Sequence, residues 1–333
     1  YFGTVTGSYT WDRSSTTLAD GVSVVGNGGY NGQFAGKLCK ARKGDTVFTV
    51  KNSGDITLEA KVSGTGTSGG LFGVCEAGTK LEIENALTVQ GTVGNNEAAA
   101  AGGLLGKIEA DFTLNMKSFQ NNASVVGTQA SGGMFGEISS PFKMTKPSDA
   151  EININRAVGG GNGSAGGYAG KVSAGISVPS LTVDAIVSGA NAGGILGEAT
   201  NCCILIEKPS VTGTAQVHGS AAAGGIVGLV SESAVELQGQ ISIADINIGE
   251  ADPATGSIVG KQSESLVYLA DGSTQQLGID ANMTTLREAG TYGGIFRNQT
   301  EGSGKLIGDG TLENVGKINR SVSGAAGNYT LAG

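Results

Sequence analysis

A five-residue pattern, Gly-Gly-x-x-Gly with apolar residues at both x positions, returns about every thirty residues and governs what this chain can fold into. Clear copies are Gly69-Gly70-Leu71-Phe72-Gly73, Gly102-Gly103-Leu104-Leu105-Gly106 and Gly132-Gly133-Met134-Phe135-Gly136. Three more follow at Gly166-Gly167-Tyr168-Ala169-Gly170, Gly193-Gly194-Ile195-Leu196-Gly197 and Gly224-Gly225-Ile226-Val227-Gly228. Weaker copies begin at Gly32, Gly256 and Gly293. Successive starts lie 37, 33, 30, 34, 27, 31, 32 and 37 residues apart, so nine copies define a repeat array.

Repeats of this length occur in helical and in β arrays, and hydrophobic periodicity decides between them. Two residues past the last motif glycine stand Leu38, Cys75, Ile108, Ile138, Val172, Ala199 and Val230. Six residues past it come Phe112, Phe142, Ile176, Cys203, Ala234 and Leu266; eight past it come Leu81, Leu114, Met144, Val178, Leu205 and Tyr268. Apolar residues at even offsets with polar ones between them follow the period of a strand. Segments such as Leu87-Thr88-Val89 and Ile241-Ser242-Ile243 supply further strands. A single unit cannot bury its apolar face, whereas stacked units can.

The expected fold is therefore all-β: a parallel β-solenoid of about nine coils, each with about three short strands. Its rungs would be spaced at about 4.8 Å, giving a rod roughly 40 Å long. The solenoid would occupy residues 32–297. Residues 1–31, with Tyr9-Thr10-Trp11-Asp12-Arg13, read as an N-terminal cap, and residues 298–333 as a C-terminal cap or a segment joining subunits.

Composition agrees and excludes alternatives. Glycine contributes 59 of 333 residues, far above the usual share of about 7%, but only 5 prolines accompany it, so collagen is excluded. The chain is 39% hydrophobic and 15% charged, unlike an ordinary disordered chain. A net charge of −8 disfavours nucleic acid as a partner, and no run of apolar residues is long enough to insert a membrane-spanning helix. The motif glycines admit two structural reasons: a positive φ, or a close approach that leaves no room for Cβ. A phosphate-cradling loop would need the motif to open a helix, and none of the nine copies does.

The Leu71-Phe72-Gly73 and Leu104-Leu105-Gly106 cores resemble the glycine-rich GLUG repeats of bacterial surface adhesins and of the stalks of secreted IgA-cleaving metallopeptidases. The resemblance spans residues 32 to 297. It implies an extracellular or cell-surface β-helical stalk. Peptidase activity is not implied, because His218 is the only histidine and no His-Glu-x-x-His motif exists.

One set of residues breaks the inward–outward alternation. If the +2 residues point inward, the residue before the last motif glycine should point outward: Ala35, Phe72, Leu105, Phe135, Ala169, Leu196, Val227, Val259 and Phe296. Either the glycines bend the strand so that both residues face the core at a corner, or the stripe is an assembly surface covered by a terminal segment or neighbouring subunit. Directly after the last glycine, Lys107, Glu137, Lys171 and Glu198 alternate in sign and would pair between coils.

Cys75 and Cys203 fall at inward offsets as core thiols, and a Cys39–Cys75 bridge would require a register slip. His218 reads as solvated. Sequons such as those beginning at Asn122, Asn162, Asn282, Asn298 and Asn328 occur about as often as chance supplies in such a composition. β-Helical polysaccharide lyases cluster acidic residues on one face, but Asp184, Asp245, Glu250 and Asp252 share no recurrent spacing. These residues thus provide no catalytic group, cofactor site or metal ligand. The expected role is a non-enzymatic surface stalk or adhesin that engages a host or matrix ligand. Its alternative is the subunit of an extracellular filament that associates end to end or laterally; a lyase is the remotest reading.

Overall fold

The computed structural model describes residues 2–12, 23–148 except 45, 150–238 except 160, 241–248, 254–256, 258–263, 265–269, 277–281, 305–308, 322–323 and 330–331. The described residues contain no helix. Strands stack into sheets of nine, nineteen and five members, all paired in parallel, to form a β-solenoid. A separate antiparallel pair joins Val322–Ser323 to Thr330–Leu331.

Among the described residues, the nine-stranded sheet takes its strands in strict chain order from Phe2–Thr6 to Val259–Ser263. Its register runs Ala35↔Phe72↔Leu105↔Phe135↔Ala169↔Leu196↔Val227↔Val259. That ladder encloses about 7 turns rather than the nine coils expected from counting motifs. Eight motif copies bound seven intervals, and the ninth copy, at Gly293, lies outside the described residues. At about 4.8 Å per rung, seven turns span roughly 34 Å.

Solenoid pairing begins ahead of residue 32. Phe2–Thr6 pairs with Ala35–Cys39, Tyr9–Asp12 with Thr46–Lys51, and Val24–Gly32 with Ile56–Gly69. The first coil is filled by aromatic rings: Trp11 lies 5.5 Å from Phe34, Phe34 4.6 Å from Phe48, and Phe48 4.8 Å from Phe72. A second group of rings, Phe112, Phe135, Phe142 and Tyr168, lies in mid-stack. At the other end, Lys305–Gly308 extends the five-stranded sheet beyond Leu266–Leu269; most of 298–333 lies outside the described residues.

The motif glycines are explained by close approach, since none of those in the six clear copies has a positive φ. A Cβ on Gly69 would strike the carbonyl of Phe72 and lie 2.7 Å from the amide nitrogen of Gly106. One on Gly70 would meet the carbonyl oxygen of Gly103 and sit 3.0 Å from Val89 Cγ1. One on Gly73 would be 2.7 Å from Asn31 N and 2.8 Å from Gly36 O. Each glycine therefore makes room for the neighbouring coil or for the strand crossing the corner. The motif amides belong to the ladder: Gly70 N–H donates to Gly102 O at 3.1 Å, and Leu71 N–H to Leu104 O at 2.9 Å.

The second sheet supplies the opposite wall. Its inward column runs Leu58, Val89, Asn121, Ile154, Val183, Val211 and Ile243. These side chains press onto the second motif glycines, as Ile154 does on Gly133 and Val183 on Gly167. Asn121 is the polar member of this column; buried, it closes its amide on the backbone of Ala123, donating at 3.1 Å and accepting at 3.2 Å.

Candidate functional site

The apolar stripe lies inside the chain's own core. Phe72, Leu105, Phe135, Leu196 and Val227 are 0% exposed and Val259 1%; Phe296 lies outside the described residues. Cys75, Ile108 and Ile138, three positions beyond Phe72, Leu105 and Phe135, are buried as well. Residues three apart share a face because the strand bends at the intervening glycine, where the paired register skips from Phe72 to Val74 and from Leu105 to Lys107. No neighbouring subunit is needed to cover this ladder. Among the described residues, the large apolar side chains left exposed are Tyr9, Val25 and Ile186, none of them in the stripe.

The charged row on the outside of the same sheet has the register Lys107↔Glu137↔Lys171↔Glu198. Lys107 reaches Glu137 at 3.3 Å and Lys171 reaches Glu198 at 3.7 Å. Earlier in the stack Lys37 contacts Glu76 at 2.6 Å, and the Tyr30 hydroxyl donates to Glu109 at 2.6 Å. Lys37 holds the Glu76 carboxyl below its ordinary range, mainly through their hydrogen bond. Hydrogen bonding to Glu109, aided by burial, raises Tyr30.

All four cysteines are free. Burial pushes the Cys75 thiol far up, consistent with an inert core position. Cys203 departs from its expected inward placement: it is exposed, whereas Cys202 is buried with its thiol 3.6 Å from Val172 O. The cause is a one-residue shift. Asn201 and Glu232 occupy left-handed turns at φ 53° and 48°, so Ile176 pairs with Ile204 and then Val235. The inward residues after this turn are Ile204 and Ile206, in place of Cys203 and Leu205; Val235 replaces Ala234. His218 is half-buried rather than solvated, with Nε2 3.0 Å from Gln216 Oε1.

A groove of about 840 Å³ opens where the strand beside Asn115–Phe119 breaks off after Thr145 and resumes at Ile152. Glu82, Glu84, Lys117 and Lys146 line it. Two of these charges are engaged locally: Glu82 contacts Lys80 at 2.6 Å, which lowers its pKa, and Lys146 donates to Ala150 O at 2.8 Å. Among the described residues, no three His, Cys, Asp or Glu side chains are placed to hold a metal ion.

A second ordered surface is the outer face of the second sheet. One column consists of Thr57, Thr88, Gln120, Asn153, Thr182, Ser210 and Ser242, in continuous register. A second runs beside it through Glu59, Gln90 and Asn122, paired by the same strands. Asn155, Asp184 and Thr212 prolong it, their amides donating to the coil before. Gln90 donates to Glu59 at 2.6 Å, and Asn155 to Asn122 at 3.1 Å. Asp184 accepts from both the amide and hydroxyl of Thr214, at 2.6 and 2.9 Å. The sequence carries this face as polar–apolar–polar triplets such as Thr88-Val89-Gln90 and Asn153-Ile154-Asn155. Their distance to the next motif varies from 10 residues for Val183 to 13 for Val89, which hides the column from a search at fixed offsets.

No family model, no curated protein and no solved structure matches this chain.

Proposed function

We propose that this chain is a non-enzymatic extracellular β-solenoid serving as a cell-surface stalk or adhesin. The observation that carries this reading is the unbroken parallel ladder from Phe2 to Val259, a rigid rod whose core is closed within one chain and whose outer faces remain for contact. The likeness of the motif cores to those of surface adhesins supports the same reading. An antibody raised against the purified chain should label intact, unpermeabilised source cells. Labelling only after permeabilisation would overturn the extracellular assignment.

A filament subunit is the second reading. Among the described residues, Phe2–Thr6 has a sheet partner on one side only, and such an edge templates head-to-tail growth. Negative-stain microscopy and light scattering over a wide concentration range separate the two. Rods lengthening with concentration favour the filament, and monodisperse single rods favour the stalk.

A further inference from the structure

We propose that the outer face of the second sheet binds an uncharged, fibrous polysaccharide. The inference rests on the adhesive reading and gives that adhesin a ligand class.

The first argument is chemical complementarity. Thr88, Gln120, Asn153 and Thr182 stand in one straight column, and hydroxyl and amide groups each offer both a donor and an acceptor. A neutral polyol chain presents the same two-way chemistry. The second argument is charge. The molecule carries a net −8, yet the carboxylates of the two columns, Glu59 and Asp184, are held by Gln90 and Thr214. Neither column holds a lysine or arginine for an anionic polymer, and these two are the only carboxylates in the columns, whereas the Lys–Glu row on the first sheet is built of ion pairs.

The third argument concerns the size of the ligand. The columns contain no aromatic ring on which a single sugar could stack, and one hydrogen bond made in competition with water stabilises little. Many such bonds formed together can hold a stiff polymer, because after the first contact the rest are intramolecular. Seven rungs set the first column over about 29 Å of fixed lattice. Bonds between neighbouring side chains, as in Asn155 to Asn122, order the array before a ligand arrives and reduce the entropy lost on binding.

The experiment is co-sedimentation of the purified chain with microcrystalline cellulose and with chitin powder, in low salt and again in about 1 M salt, where ionic contacts are screened. The wild-type chain should pellet with at least one polymer, equally at both salt levels. Thr88→Glu combined with Asn153→Glu should weaken retention by about tenfold or more, since each carboxylate only accepts hydrogen bonds and must shed its hydration to meet a neutral polymer. Lys171→Glu, on the other sheet, should bind like wild type. Melting curves of every variant verify that the solenoid is intact. Retention lost in high salt, retention unchanged in the double variant, or no wild-type pelleting with either polymer each overturns the proposal. Surface labelling of intact cells tests the adhesive reading separately, so a chain that labels the surface but ignores both polymers refutes only the ligand class.

Discussion

The Lys37 ammonium lies 2.6 Å from the Glu76 carboxylate, joining side chains from two successive coils across the outside of the nine-stranded sheet. Glu76 titrates below its usual range because of this hydrogen bond, with the Lys40 amide adding a second donor at 3.3 Å. A carboxyl depressed by folding stabilises above its unfolded pKa, near 4.3, and that contribution is lost as pH falls through the lower folded value. Glu82, depressed by Lys80, acts with the same sign. Melting temperature should therefore fall as pH drops below about 4. Both pairs are partly exposed, so each contributes less than about 1 kcal/mol. In Lys37→Met together with Lys80→Met, the acid-induced drop should be smaller, as measured by melting curves from pH 7 to 3. An identical drop would remove these pairs from the account.

Glycine positions differ sharply in what they tolerate. Gly70→Ala would drive a methyl into the Gly103 carbonyl, with Val89 3.0 Å away, and should cost about 1–3 kcal/mol or more. Gly54, an exposed turn glycine, has nothing within 4 Å of its Cβ position and no positive φ. Gly54→Ala should be neutral or stabilising by up to about 1 kcal/mol, through the unfolded chain. Urea titrations of the two variants check this ordering.

Phe135 packs at the corner between Phe142 at 5.3 Å and Tyr168 at 5.1 Å between ring centroids. Phe135→Ala should destabilise by about 3–5 kcal/mol, while leaving the assembly state of the folded protein as it is in wild type. Denaturation and light scattering measure the two effects independently. A change of assembly state with little loss of stability would restore the interface reading of the stripe.

The cysteines should react in order of exposure. A maleimide should label Cys203 first and Cys39 more slowly, because Cys39 is half-buried and its pKa is raised by burial and Glu76. Cys75 and Cys202 should react only on unfolding. Peptide mapping after timed labelling checks the order, and early labelling of Cys75 would contradict its core placement.

Much of this fold is written in the Gly-Gly-x-x-Gly spacing and in the period-two apolar residues behind it. Leu38, Cys75, Ile108 and Val172 form the inward ladder their offsets indicate. Legibility fails where the count from the motif is disturbed. The left-handed residues Asn201 and Glu232 each add one step to their coil, moving Cys203 outward and Ile204 inward. Nothing in composition marks those two positions, since neither is a glycine. The Phe72 to Val227 stripe was ambiguous for a different reason. Strand periodicity assumes a straight strand, and whether Gly73 bends it depends on backbone packing between coils. The polar columns were hidden by loops of unequal length, and only the paired register aligns Thr88 with Gln120 and Asn153.

Because each motif glycine is shaped around the backbone of the coil beside it, the length of this rod is quantised. Removing residues 105–134 would join Leu104 directly to Phe135, which already occupies the rung position of Leu105 in the next coil. Such an excision shortens the molecule by one step of about 4.8 Å and leaves the grammar of the stack intact. A cut of half that size would set glycines against side chains where the shortened coil meets its neighbours. Reach can therefore be tuned by gain or loss of whole coils, as a chain of identical links is lengthened, without redesigning any one of them.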